Sequence, residues 1–160
     1  MLEQILKILE ENCQTPPEEI AKRIGADVEQ VRKLIKQAEE DGIILGYSAI
    51  INWSKVRPDK VYAFIAVNAV PEHGIGFDEV AARIAKFPEV HSMYLISGTA
   101  DLLVVVEADD FRQIAAFVAE KLAPISGVTG TATSFVLKMY KKERRMVDQP
   151  EGPGRLAIMP

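Results

Sequence analysis

Two groups of residues in this chain carry side chains able to recognise something. The first is Ser97-Gly98-Thr99-Ala100-Asp101, set between two β-prone runs, Tyr94 to Ile96 and Leu102 to Ala108. Reversing a strand takes only about two residues, so hydroxyls and a carboxylate here serve either the turn's own backbone or a ligand. Asp in a turn readily bonds nearby backbone amides. A carboxylate beside free amides equally suits the ammonium and carboxylate ends of an amino acid. The second group is Glu29, Gln30, Arg32, Lys33, Lys36 and Gln37, with Lys22 and Arg23 a little earlier. Arg and Gln donors fork onto guanine and adenine edges, and Lys suits phosphates.

Other chemistry lacks its residues. His73 and His91 are the only histidines and Cys13 the only cysteine, far from one another in sequence, so no metal-ligand spacing exists. Gly74-Ile75-Gly76 precedes a helix-like stretch, but Glu79 stands where the third glycine of a phosphate-binding GxGxxG belongs, and no GK[ST] follows. No Ser or Cys has a base and an orienting partner evident in sequence. Glu107, Asp109 and Asp110 form a small acidic cluster, in which Asp109 or Asp110 reads as the cap of the following helix. The expectation is a protein that binds rather than catalyses, with no metal and no resident cofactor.

Those residues must be held by regular elements. Of 160 residues, 48% are hydrophobic and 26% charged, a globular composition, and the net charge of −4 gives no global pull toward polyanions. No apolar run approaches the ~20 residues of a membrane helix. The opening MLEQILKILEEN lacks the pattern of a signal peptide, so the expected location is the cytoplasm, with no membrane partner.

Leu2, Ile5, Leu6 and Leu9 recur at helical spacing. Thr15-Pro16-Pro17-Glu18 predicts a capping-box start to a second helix with Ile20, Ala21 and Ile24 inside, stopped by Gly25. Asp27 with Gln30 opens a third, carrying Val31, Leu34, Ile35 and Ala38 to Asp41-Gly42. A short helix, a tight turn and a longer capped helix make a helix-turn-helix, with the third helix as major-groove reader. IILGYSAII (residues 43–51) predicts a strand turning back as a wing. Over residues 1–54 six cations face ten carboxylates, a net of −4, but the middle of the third helix is basic. The shape alone also fits a module for protein contacts.

WSKVRPD, with its proline and mixed charges, suggests a boundary, with a linker at 55–60. Beyond it VYAFIAVNAV (61–70), VHSMYLI (90–96), LLVVVEA (102–108) and TATSFVLKMY (131–140) read as strands, and the stripes Phe77/Val80/Ala81/Ile84 and Phe111/Ile114/Ala115/Val118/Leu122 as helices. The order β-α-β-β-α-β predicts a ferredoxin-like sandwich over 61–147, making the chain α+β. The Pro- and Gly-rich end, 148–160, reads as an extended arm. Strands 61–70 and 102–106 are apolar at successive positions, so both faces of the sheet want cover while the helices supply only one. A second copy on the open face, hence a homodimer, is the expectation; the arm folding back is the other candidate.

IAKRIGADVEQVRKLIKQAEEDGIILGYSAIIN, the split β-α-β order, YLISGTADLLVVVEA with its G-x-x-D turn, and SGVTGTATSFVLK with G-V-x-x-T-x-T together resemble the Lrp/AsnC family of transcriptional regulators, from about Leu2 to Lys142. The resemblance implies a winged helix-turn-helix on double-stranded DNA and a C-terminal domain that senses an amino acid or related metabolite. It implies dimers through the sheet domain, higher assemblies such as octamers, and an effector held between subunits near the G-x-x-D turn. By position, Gly98 and Asp101 match that turn, and Thr131 and Thr133 the hydroxyls of the last strand. Asp27 and Glu29 depart from the pattern by placing acid near the phosphates. Some members of the wider fold group act on tetrapyrroles, so a metabolite-binding or enzymatic relative without DNA contact is the alternative.

Overall fold

The computed structural model describes residues 1–71 and 76–147. His73, the Gly74-Ile75 part of the glycine motif and the expected arm at 148–160 lie outside the described residues. The chain divides into two units, Met1–Ile50 and a second starting at Ile51.

In the first unit α1 spans Leu2–Glu11, α2 Pro17–Ile24 and α3 Val28–Glu40. Their apolar stripes meet in a core of Ile5, Leu9, Ile20, Ala21 and Val31, with Leu34, Ile35 and Ile44 around it. The expected capping box at Thr15 does not form. Pro16 is the N-cap of α2, and Thr15 donates its hydroxyl to the carbonyl of Asn12 at 2.8 Å. With Pro16 as N-cap the helix starts one residue later than that capping box requires, so Thr15 lies outside it and its hydroxyl turns back to the preceding turn. Gly25 closes α2 with φ +67°, a left-handed residue that lets the next amides return to the carbonyl of Ala21. Asp27 caps α3, accepting from the Gln30 amide at 3.0 Å.

The expected wing strand over 43–51 is not observed; these residues are in no sheet, and Leu45 is 95% exposed. A β-prone segment needs a second edge to bond to, and this three-helix unit offers none. Tyr47 instead ties the segment to α3, donating its hydroxyl to Glu39 at 2.8 Å; partial burial and then that hydrogen bond push the phenol up to about 12.

In the second unit a short 3₁₀ turn, Trp53–Lys55, leads to β1 (Val61–Ala69), α4 (Asp78–Ala85), β2 (Val90–Leu95), β3 (Leu102–Ala108), α5 (Phe111–Ala116, continuing in π-helical winding through Leu122) and β4 (Val128–Phe135). The four strands form an antiparallel sheet in the order β2-β3-β1-β4, the predicted split β-α-β arrangement. Ala63, Ile65 and Val67 of β1 and Leu102, Val104 and Val106 of β3 pack under Val80, Ile84, Ile114, Phe117 and Leu122 from the helices. The last strand runs earlier than expected, 128–135 rather than 131–140, because Val128 joins the core beyond a turn at Gly127 with φ +92°. Lys141–Lys142 (β5) and Arg145–Met146 (β6) pair as a small hairpin that the sequence did not announce. Its turn residues Glu143 and Arg144 take φ +42° and +65°, a conformation expected of Gly or Asn.

The opposite face of the sheet presents Tyr62, Phe64 and Ala66 of β1, Leu103 and Val105 of β3 and Tyr94 of β2, in register across the strands. Strand β1 alternates buried and less buried positions along its length, so the second face is apolar but uncovered within the chain.

Behind the sheet, Glu89 pairs with Lys121, and that ion pair holds its carboxyl below the usual range. A depressed folded value means the stabilisation is fully present above the unfolded value near 4.5 and lost as pH falls through the folded one. The difference in urea midpoint between wild type and Glu89→Gln should therefore shrink as pH drops below that value and be constant above it.

Candidate nucleic-acid interface and effector turn

Helix α3 turns Val31 and Ala38 inward and leaves Glu29, Gln30, Arg32, Lys33, Lys36 and Gln37 exposed, as are Lys22 and Arg23 on α2. The exposed residues of α3 make a polar face. Its charges are largely paired within the unit: Arg32 with Glu18 of α2 and with Glu29 at 3.5 Å, Arg23 with Glu19, and Lys36 with Glu40 at 3.6 Å. Gln37 donates to Asp41 at 2.9 Å. Among the described residues Lys22 and Lys33 have no ion pair. Exposed pairs of this kind contribute about 0–1 kcal/mol, so phosphates or base edges can replace them. The Arg32–Glu18 pair spans fourteen positions and the turn between helices; sequence spacing alone does not reveal it.

The second surface lies at one end of the sheet. Ser97, Gly98 and Thr99 are exposed, Ala100 is buried and Asp101 half-buried. The backbone of Asp101 donates to the carbonyl of Val67 at 3.1 Å, and its carboxylate accepts from the Ala69 amide at 2.9 Å. One carboxylate oxygen thus secures the end of β1, a contact thirty-two residues away in sequence. Thr131 sits opposite Val67 on the far side of that strand, and Thr133 opposite Ile65, two positions further from the turn. Asp101 and Thr131 flank the same strand end from two sides, while Thr133 is set back. Both threonines are half-buried and share the helix-covered side with Ile65 and Val67. Thr129, not picked out from sequence, also bonds here, donating to the carbonyl of Asn68 at 3.1 Å.

Among the described residues no group of His, Cys, Asp and Glu could hold a metal ion, and no helix is long and apolar enough to cross a membrane.

A three-helix DNA-binding unit followed by a one-sided α/β sandwich defines a helix-turn-helix transcriptional regulator with a small-molecule-binding domain. The profile of the winged helix-turn-helix DNA-binding family matches residues 2–44, and that of the Lrp/AsnC ligand binding domain matches residues 62–146. The chain belongs to the Lrp/AsnC family. It is 40% identical over 158 residues to the uncharacterized HTH-type transcriptional regulator YugG of Bacillus subtilis, covering 98% of this chain and 95% of that one. It is 34% identical over 137 residues to the HTH-type transcriptional regulator LrpA of Pyrococcus horikoshii, with 86% and 94% covered. Among solved structures, the transcriptional regulator NMB0573 of Neisseria meningitidis in complex with L-Met superposes with a TM-score of 0.69 at 28% identity, over 93% of this chain and 94% of that one. The leucine response regulatory protein of Mycobacterium tuberculosis shares the fold, with a TM-score of 0.74 at 23% identity over 92% and 97% of the two chains.

Proposed function

We propose that this regulator binds DNA through the exposed face of α3, with Lys22 and Arg23 of α2 at its rim, and answers to an amino acid held at the Ser97–Asp101 turn. The observation that supports the effector assignment is the exposed Ser97–Thr99 turn closed by the Asp101 carboxylate at the end of β1, with Thr131 in register beside that strand end. Carboxylate and hydroxyl acceptors suit an α-ammonium, and exposed turn amides suit an α-carboxylate. The L-Met bound by NMB0573 supports the ligand class.

The protein works as a homodimer through the open sheet face, and dimers join into larger rings such as octamers, with the effector between subunits. Support comes from the uncovered run of Tyr62, Phe64, Ala66, Leu103 and Val105 and from the need for avidity when each DNA-binding unit is itself acidic. Its role is binding, not catalysis, and its place is the cytoplasm.

A thermal-shift screen of the amino acids tests the effector site. One or a few should raise the melting temperature by mass action. Because Asp101 also secures the Ala69 amide, Asp101→Ala should cost about 1–3 kcal/mol of stability on its own. Asp101→Asn keeps an acceptor for that amide and removes the charge. It should melt close to wild type yet lose the effector-induced rise; an undiminished rise would place the ligand elsewhere.

A further inference from the structure

We propose that the cleft lined by Trp53 and Tyr62 is the docking groove for the chain's own residues 148–153, held in cis with Pro150 and Pro153 against the two rings. This contact involves neither the DNA-reading face nor the effector turn.

The cleft lies within the second unit, beside the start of β1, and measures about 430 Å³. Pockets that hold small ligands commonly measure about 300–1,000 Å³. Trp53 and Tyr62 give it aromatic surface, and Val136, Leu137, Met139 and Val147 give it apolar surface. Leu137 is 95% exposed. The Lys60 ammonium lies 4.5 Å from the centroid of Trp53 and 5.9 Å from that of Tyr62, so the two rings are held about one cation. That cation is matched by Glu107, and Arg57 by Asp59 and Asp109. Lys55 also lines the cleft, exposed and with no ion pair among the described residues. Such a groove suits an apolar segment that carries carboxylates.

The sequence that follows Val147 is D-Q-P-E-G-P, residues 148–153. Proline fixes its own φ and pushes the residue before it toward extended geometry, so both X-Pro pairs favour polyproline II. That helix has three residues per turn, which puts Pro150 and Pro153 on one face. Segments of the form P-x-x-P dock in aromatic-lined grooves. Asp148 and Glu151 are likewise three apart and share another face, with charge opposite to that of Lys55.

The fold starts this segment at the groove. Val147 donates its amide to the carbonyl of Tyr140 at 2.9 Å, and its carbonyl accepts from the side-chain amide of Asn52, another lining residue, at 2.8 Å. Pro150 is three residues further on, at most about 11 Å of chain. A segment tethered this closely meets the groove at high effective concentration, which favours it over the same segment of a neighbouring copy. Tyr62 is the second residue of β1, so the contact leaves Phe64, Ala66, Leu103 and Val105 to the proposed dimer. Once filled, the groove excludes proline-rich segments of other chains.

Trp53 is the only tryptophan in the chain, so its emission reports the groove directly. In the full chain it should be shielded from quenching by acrylamide. The Pro150→Ser, Pro153→Ser variant should lose that shielding and emit further to the red, with an unchanged far-ultraviolet spectrum. Lys55→Glu should weaken the shielding, and adding Asp148→Lys and Glu151→Lys to it should bring the shielding back. A synthetic peptide of residues 148–160 should protect Trp53 in the proline variant and alter nothing in wild type. Equal quenching of wild type and the proline variant would overturn the contact, as would a peptide that protects both alike. Mixing the proline variant with Trp53→Phe chains at micromolar concentration should leave its quenching unchanged; regained shielding would assign the groove to a neighbour's segment and overturn docking in cis.

Discussion

Phe64→Glu is expected to yield a folded monomer that no longer holds DNA tightly. Phe64 lies on β1, an interior strand of the sheet, and is 44% exposed within the single chain, between Tyr62 and Ala66 on the open face. In the isolated subunit a glutamate there meets water and costs little. In a two-fold dimer through this face it appears twice, near the centre of the contact. An unpaired carboxylate buried at such a position costs several kcal/mol. Losing the dimer also removes bivalent engagement of DNA, which multiplies affinity by roughly 10² to 10⁴. Sedimentation equilibrium should give the subunit mass, and anisotropy a correspondingly weaker complex. A variant that keeps the wild-type mass would place the interface off the sheet.

Ile20→Ala is expected to abolish DNA binding by a different route. Ile20 is fully buried between the three helices, in a small core it shares with Ile5, Leu9, Ala21 and Val31. Removing three carbons from such a site costs about 2–5 kcal/mol, and a unit of this size has little more stability than that to lose. Calorimetry should show the first unit unfolded or melting far earlier, while the transition of the second unit and its stabilisation by effector remain. If both transitions fall together, the two units do not fold independently. Phe64→Glu keeps α3 intact and loses assembly, whereas Ile20→Ala keeps assembly and loses α3.

The elements that pack against a core were readable because their periodicity reports burial directly. Val31, Leu34, Ile35 and Ala38 set the inward side of α3, whereas β1, apolar at successive positions, showed that both faces want cover without showing that the helices take the side of Ile65 and Val67. Three features were not readable, each for a physical reason. The Ile43–Ile51 segment has strand residues but no strand to pair with. The β5–β6 hairpin has neither β-branched residues nor a glycine turn, and its charged residues read as loop. The capping role given to Thr15 failed because the helix starts one residue later, with Pro16 at its N-cap.

The site followed the same division. Exposure of Arg32, Lys33 and Lys36 is a helical-phase statement and came from sequence. Pairing of Arg32 with Glu18, and of the Asp101 carboxylate with the Ala69 amide, are contacts between distant segments that only the fold creates. The Asp101 contact changes how the turn is understood. Its carboxylate is not idle: it joins β3 to the end of β1, so an effector meeting Asp101 would act on the sheet that also carries the proposed assembly face. Linkage then requires that the effector favour one assembly or one DNA-bound state over another.

The most direct test of the account is the affinity of the full chain for its own upstream duplex, measured by anisotropy with and without each amino acid. Binding should be salt-dependent, with a constant that one or a few amino acids change by about 5- to 150-fold, and the Asp101→Asn protein should bind the same duplex but no longer respond. Binding indifferent to every amino acid, or an Asp101→Asn protein that responds as wild type does, would contradict it.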